Sequence, residues 1–277
     1  MRFGIALGRM HPSMFLEAVT AADELGFESV WFPEHLVLPV EMAGSPFAGA
    51  EHPPVPPSTP VFDVFAYLSF LAGRTQRVRL GTHVYNLGLR HPFTSARAVQ
   101  TADVVSEGRL ELGIGAGWLR GEWDVAGLDF DRRGARLDEA LEVCRRLWTE
   151  EQVAHHGRFF DFDAVMFEPK PVQRPHPPVL IGGESPAALR RAARHDGWIG
   201  LNHSAESARA HVATLHDLRA ASGASGRFSV TVGATVTDDA DVEGLSSAGV
   251  DRVIVAPWAR TRDVPESLGQ FAARFLG

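Results

Sequence analysis

Eight times along this chain a short, continuously apolar run gives way to a stretch with helical spacing or a helix-capping signal. The runs fall at residues 3–7, 29–32, 78–85, 110–114, 179–181, 198–201, 228–236 and 252–256. Few architectures accept that rhythm. Strands that alternate with helices read as a parallel sheet, and strands without polar alternation need cover on both faces. Eight such units favour closure into a (β/α)8 TIM barrel over an open, doubly wound sheet. The 277 residues suit a single barrel domain over 1–277, since such barrels run to about 250 residues.

The helices are expected at 61–71, 93–105, 133–148, 205–221, 241–248 and 265–275, together with two whose starts are marked by caps. Ser13 is the expected N-cap of the first, which carries Phe15, Val19, Ala22 and Leu25 on one face and stops at Gly26. Ser185-Pro186 pairs an N-cap with a first-turn proline and opens a helix over 187–195. Two segments exceed the minimal barrel. Residues 37–60, rich in Pro, Gly and Ala, are too long for an ordinary strand–helix connection and are expected to form an active-site loop or lid. Residues 151–178 combine a hairpin-like stretch around Gly157 with a proline-rich run, and are expected as an insertion between the fourth and fifth units.

In a parallel barrel the ligand site lies just past the carboxyl ends of the strands, which turns attention to polar residues at those points. Ser29-Val30-Trp31-Phe32-Pro33-Glu34-His35-Leu36 is an apolar strand ended by a proline and followed at once by an acid and an imidazole. His35 can hold or move a proton near neutral pH, with Glu34 expected to set its orientation. The third strand ends in Thr82, His83, Val84 and Asn86. The fifth runs into Gly182, Gly183, Glu184 and Ser185 at a helix start, where backbone N–H groups can converge on an anion. Gly113-Ile114-Gly115-Ala116-Gly117-Trp118 has glycines at the wrong spacing for a dinucleotide fingerprint and no helix directly after it, so it reads as a glycine-rich strand end.

Composition removes other classes. A net charge of −7 argues against a nucleic-acid or anionic-membrane surface. No apolar run approaches the ~18 residues of a membrane span. The N-terminus shows no leader pattern, so a cytoplasmic protein is expected. Lys170 is the sole lysine, in a loop-like Glu168-Pro169-Lys170-Pro171 context, which leaves no residue for Schiff-base or P-loop chemistry. Cys144, the one cysteine, falls in line with Leu137, Leu141 and Trp148 and is expected in the core. Twelve histidines include no His-x-His pair and no His-Glu-x-x-His helix, so no metal site is expected.

Taken together, Pro33-Glu34-His35-Leu36-Val37-Leu38-Pro39, Val78-Arg79-Leu80-Gly81-Thr82, Leu89-Arg90-His91-Pro92, the run from Ser106 to Trp118, and Pro178-Val179-Leu180-Ile181-Gly182-Gly183 resemble the luciferase-like monooxygenase superfamily. Within it they resemble the branch that uses the deazaflavin coenzyme F420. The resemblance implies a barrel with the deazaflavin or flavin across the carboxyl ends of the strands, and an enzyme that moves a hydride between F420 and a small organic substrate. It places Glu34 and His35 beside the ring, as catalytic and ring-binding residues. It places a non-proline cis peptide at His83-Val84 behind the ring, with Asn86 nearby, and gives Gly182, Gly183, Glu184 and Ser185 to the phosphate of the cofactor tail. It also implies a homodimer. The pattern departs at Trp118, where relatives that oxidise a sugar phosphate carry a catalytic glutamate, and no basic cluster accompanies it. Two alternatives stay open: an FMN-dependent monooxygenase using dioxygen, and a barrel that binds a flavin without turnover.

Overall fold

The computed structural model describes residues 1–47, 50 and 52–277. Eight parallel strands close into a barrel: β1 (Arg2–Ala6), β2 (Ser29–Phe32), β3 (Arg79–Thr82), β4 (Leu110–Ile114), β7 (Val179–Gly182), β8 (Gly197–Gly200), β9 (Ser229–Gly233) and β10 (Arg252–Val255). Parallel pairing of β10 with β1, Arg252 opposite Arg2, closes the ring. Around it lie α1 (Phe15–Leu25), α2 (Val64–Ala72), α3 (Pro92–Val105), α5 (Arg133–Thr149), α6 (Pro186–Ala192), α7 (Ala205–Ser222), α8 (Asp239–Ser247) and α9 (Val264–Phe275). A six-residue helix, α4 (Arg120–Val125), precedes α5 at a place where no helix is expected between Trp118 and Arg133. The insertion between the fourth and fifth units is an antiparallel hairpin of β5 (Gln152–His156) and β6 (Asp161–Met166). No helix among the described residues is long and apolar enough to cross a membrane.

The strands are apolar on both faces because they serve two cores. One set of side chains packs outward under the helices. The alternate set, Trp31, Leu180, Ile199 and Ile254, fills the barrel lumen with Ala6 and Val84 packed against it. Trp31 needs room to lie there. A Cβ on Gly81 would stand 2.3 Å from its indole, so the bare backbone at that position is what admits the ring. At the amino-terminal end of the strands the lumen is closed by charge. Arg252, 1% exposed, donates to Glu28 at 2.5 and 2.6 Å and to Glu111 at 2.7 and 2.9 Å, and Arg79 pairs with Glu111 as well.

Cys144 lies on the buried stripe of α5 with Leu137, Leu141 and Trp148, and burial pushes its thiol up, as a core cysteine requires. Gly26 ends α1 at φ +88°, but Ser13 is not its cap. His11 accepts from the Ser13 N–H to cap a single 3₁₀ turn, Pro12–Met14, and α1 starts at Phe15. Ser185 does cap α6, accepting from the Ala188 N–H. That helix stops at Ala192, three residues before the expected end. Residues 33–63, among those described, form neither helix nor strand, in accord with a long loop over β2.

Candidate active site

The residues singled out at four strand ends are brought to one end of the barrel. His35 follows β2, His83 to Asn86 follow β3, Gly115 to Trp118 follow β4, and Gly182 to Ser185 close β7. The His83–Val84 peptide is cis, as the resemblance implied. Val84 ties three of these ends together. Cβ atoms built on Gly115 and Gly182 would meet its methyls at 2.5 and 2.8 Å, so the two glycines let this half-buried valine rise between β4 and β7.

His35 does not lean on its neighbour. Its Nδ1 lies 3.1 Å from Oε2 of Glu122, on α4, while Oε1 of the same carboxylate accepts the backbone N–H of Leu36 at 2.5 Å and of Val37 at 3.4 Å. Glu122 is completely buried and His35 is partly open to solvent, its ring set edge-on to Trp118. A carboxylate at Nδ1 fixes the tautomer and leaves Nε2 for proton transfer. That nitrogen makes no hydrogen bond among the described residues.

The expectation that Glu34 orients His35 is therefore corrected. Consecutive residues leaving a strand point to opposite sides, and Glu34 turns inward. It accepts the Asn86 N–H at 2.9 Å and pairs with Arg90 at 2.6 Å, its side chain fully shielded. Burial raises its carboxyl above the ordinary range, opposed by Arg90 and by the Asn86 N–H. Arg90 lies over the Tyr85 ring at 4.7 Å. Glu34 and Arg90 thus set the path of the β3 exit, and Asn86 spends its own N–H on that pair.

His83 is partly buried, with Nε2 shut away from solvent and without a hydrogen-bond partner. Burial drives its imidazole down to about 4, against a smaller opposing pull from Gly200. In the β7 loop Gly183 takes φ +104°, which favours glycine, and its carbonyl accepts from the Trp198 indole at 2.9 Å. The Glu184 carboxylate faces His203.

Sequence reasoning missed Glu122 and Arg90. Glu122 carried one signal, an acid beside Trp123 in Leu119-Arg120-Gly121-Glu122-Trp123, where both sit on the buried side of a short helix.

The family model described as luciferase-like monooxygenase matches residues 2–253. An uncharacterized protein of Mycobacterium tuberculosis (strain ATCC 25618 / H37Rv) is 35% identical over 215 residues, 76% of this chain and 74% of its own. An FMNH(2)-dependent dimethylsulfone monooxygenase of Pseudomonas putida is 34% identical over 139 residues, 49% of this chain and 38% of its own. Among solved structures, the coenzyme F420 dependent tetrahydromethanopterin reductase from Methanopyrus kandleri superposes with a TM-score of 0.76 at 17% identity, covering 97% of each chain.

Proposed function

The chain belongs to the luciferase-like monooxygenase family, and on that premise we propose that it is an oxidoreductase moving a hydride between coenzyme F420 and a small organic substrate. The observation that carries the reading is the His35–Glu122 pair at the strand ends. Bound deazaflavin supplies the carbon that gives or takes the hydride. The protein supplies the rest. His35 Nε2 takes or returns the single proton that accompanies the hydride, and Glu122 stabilises the imidazolium at Nδ1.

The residues present suit such a group. His83 Nε2 is a buried polar atom with no protein partner, and Val84 rises where glycines leave space on either side. Gly183 and Ser185 leave backbone N–H groups at the start of α6 accessible to an anionic tail. Glu34, His35, His83, Val84 and Asn86 would flank the ring, Glu34 indirectly through Asn86. FMN is the second reading, favoured by the likeness to the P. putida enzyme.

Titration of the purified protein with F420 and, separately, with FMN decides between them. F420 is expected to bind at least about tenfold more tightly, a preference of ~1.4 kcal/mol. Equal affinity, or tight binding of FMN alone, overturns the F420 assignment and promotes the monooxygenase reading. Binding of either without turnover of any reducible or oxidisable substrate would support the non-catalytic barrel.

A further inference from the structure

The expectation of no metal site considered only spacing along the chain, and the fold assembles donors that spacing cannot show. Glu184, past β7, meets His203, past β8, and His211, in the second turn of α7, with one donor atom from each lying within 4.8 Å of the others. His203 Nε2 stands 3.1 Å from one Glu184 oxygen, and His211 Nε2 stands 3.8 Å from the other.

The burial of His203 makes this contact unusual. The Ser207 hydroxyl donates to the Ser204 carbonyl at 3.2 Å, and His203 Nδ1 lies 3.2 Å from the same Ser207 oxygen. With the Ser207 proton on that carbonyl, Nδ1 is the donor and Nε2 turns a lone pair toward the carboxylate; with the proton shared the other way, Nε2–H faces the carboxylate without forming a hydrogen bond. That side chain is 3% exposed, and its Nε2 has no hydrogen bond. In either tautomer a buried ring nitrogen stands beside a carboxylate without a hydrogen bond, and a second imidazole converges on the same carboxylate. The surroundings hold this arrangement in place. Trp198 packs against both rings, with centroids 5.1 and 5.3 Å away. A Cβ on Gly200 would strike His203 Nε2 at 2.5 Å, so the glycine is what lets the ring lie there.

We propose that Glu184, His203 and His211 form a binding site for a divalent transition metal, with zinc the best match to two imidazoles and one carboxylate. Donor atoms around tetrahedral zinc are about 3.3 Å apart, and the three donors here, all within 4.8 Å of one another, need only small side-chain shifts to reach that spacing. The Ser207 contact at Nδ1 is the outer partner that a metal-binding histidine requires. Glu184 and His211 are each partly exposed, giving the ion an entry path and a fourth position for water. Glu184 adjoins the loop assigned to the cofactor tail, so the metal is tested on cofactor-free protein, where its outcome does not depend on the F420 reading.

The test is calorimetric titration of chelator-treated, cofactor-free protein with zinc chloride, with cobalt(II) absorption as a report on coordination geometry. One zinc per chain is expected, with a tetrahedral cobalt spectrum. Glu184→Gln and His211→Gln should each weaken zinc binding at least about tenfold. His156→Gln, at an exposed histidine of the hairpin, should leave it unchanged. Both site residues are partly exposed, so the variants are expected to fold, which circular dichroism verifies. Zinc stoichiometry well below one, unchanged affinity in both site variants, or loss of affinity in His156→Gln overturns the proposal.

Discussion

His35 is tied to a carboxylate 87 positions further along the chain, and that distance explains what could be read in advance. The imidazole was legible because Pro33 ends an apolar strand just before it. Its partner was not, because Glu34 is adjacent in sequence yet faces the other way, and Glu122 sits on a helix too short to show periodicity. The pair makes a specific demand on kinetics. His35→Ala should lower kcat by about 10²–10⁴-fold, the usual contribution of a general acid or base, with cofactor affinity changed little. Glu122→Gln should lower kcat with His35 intact, while cofactor Kd moves by less than about twofold. Near-normal kcat in both variants would make the pair a structural tie. His83 bears on stability instead. Its imidazole titrates near 6.5 when unfolded and about 4 when folded, so between those values the unfolded chain holds the extra proton. The contribution is fully present above about 6.5 and is lost as pH falls toward 4, roughly 3 kcal/mol over the window. Urea unfolding of wild type and His83→Gln at pH 7 and pH 4.5 checks this. The variant should lose less stability on acidification, and parallel losses would exclude His83 as the cause.

At the scale of elements, the strands were legible because both faces of each are buried, which leaves continuous apolar runs. The third was read too long. Val84 and Tyr85 are apolar, but the ladder stops at Thr82, and Tyr85 makes only an isolated bridge to Ile114. Hydropathy cannot distinguish a strand from the apolar residues that leave it. The β7–α6 loop was better marked, since a glycine pair followed by Ser-Pro has few other meanings. Its behaviour under mutation follows from φ. Gly183→Ala places a side chain at φ +104° with Ala188 3.1 Å away, so the loop must shift, and strain of this kind costs about 1–3 kcal/mol. Cofactor affinity should weaken about tenfold with kcat at saturation preserved. Unchanged affinity in a folded variant would place the tail elsewhere.

Across the whole molecule the two ends of the barrel do different work. Arg252 and its carboxylates close the amino-terminal end, while the candidate site occupies the other, with Trp31 between them. Burial and two carboxylate partners together leave the Arg252 guanidinium more firmly protonated, the ion pairs outweighing desolvation. Arg252→Met would strand Glu111 with only Arg79 and should cost about 3–5 kcal/mol in urea unfolding, with kcat and cofactor affinity unchanged in the fraction that folds. A loss below about 1 kcal/mol would mean that the lumen re-forms around the missing charge. None of these ionic contacts was legible, because Glu28, Arg79, Glu111 and Arg252 are scattered over the sequence and meet only when the sheet closes.

The carboxylate of Glu122 also grips the backbone at Leu36 and Val37, the root from which the long loop over β2 departs. On the proposed function, the proton-carrying imidazole and the start of that loop are anchored to one short helix. His35, Leu36 and Val37 are fastened to Glu122 of α4, and Pro39 and Glu41 lie against Gly121 of the same helix. On that reading, exchange of residues 42–60 as a cassette is expected to change substrate choice while the His35–Glu122 pair stays intact.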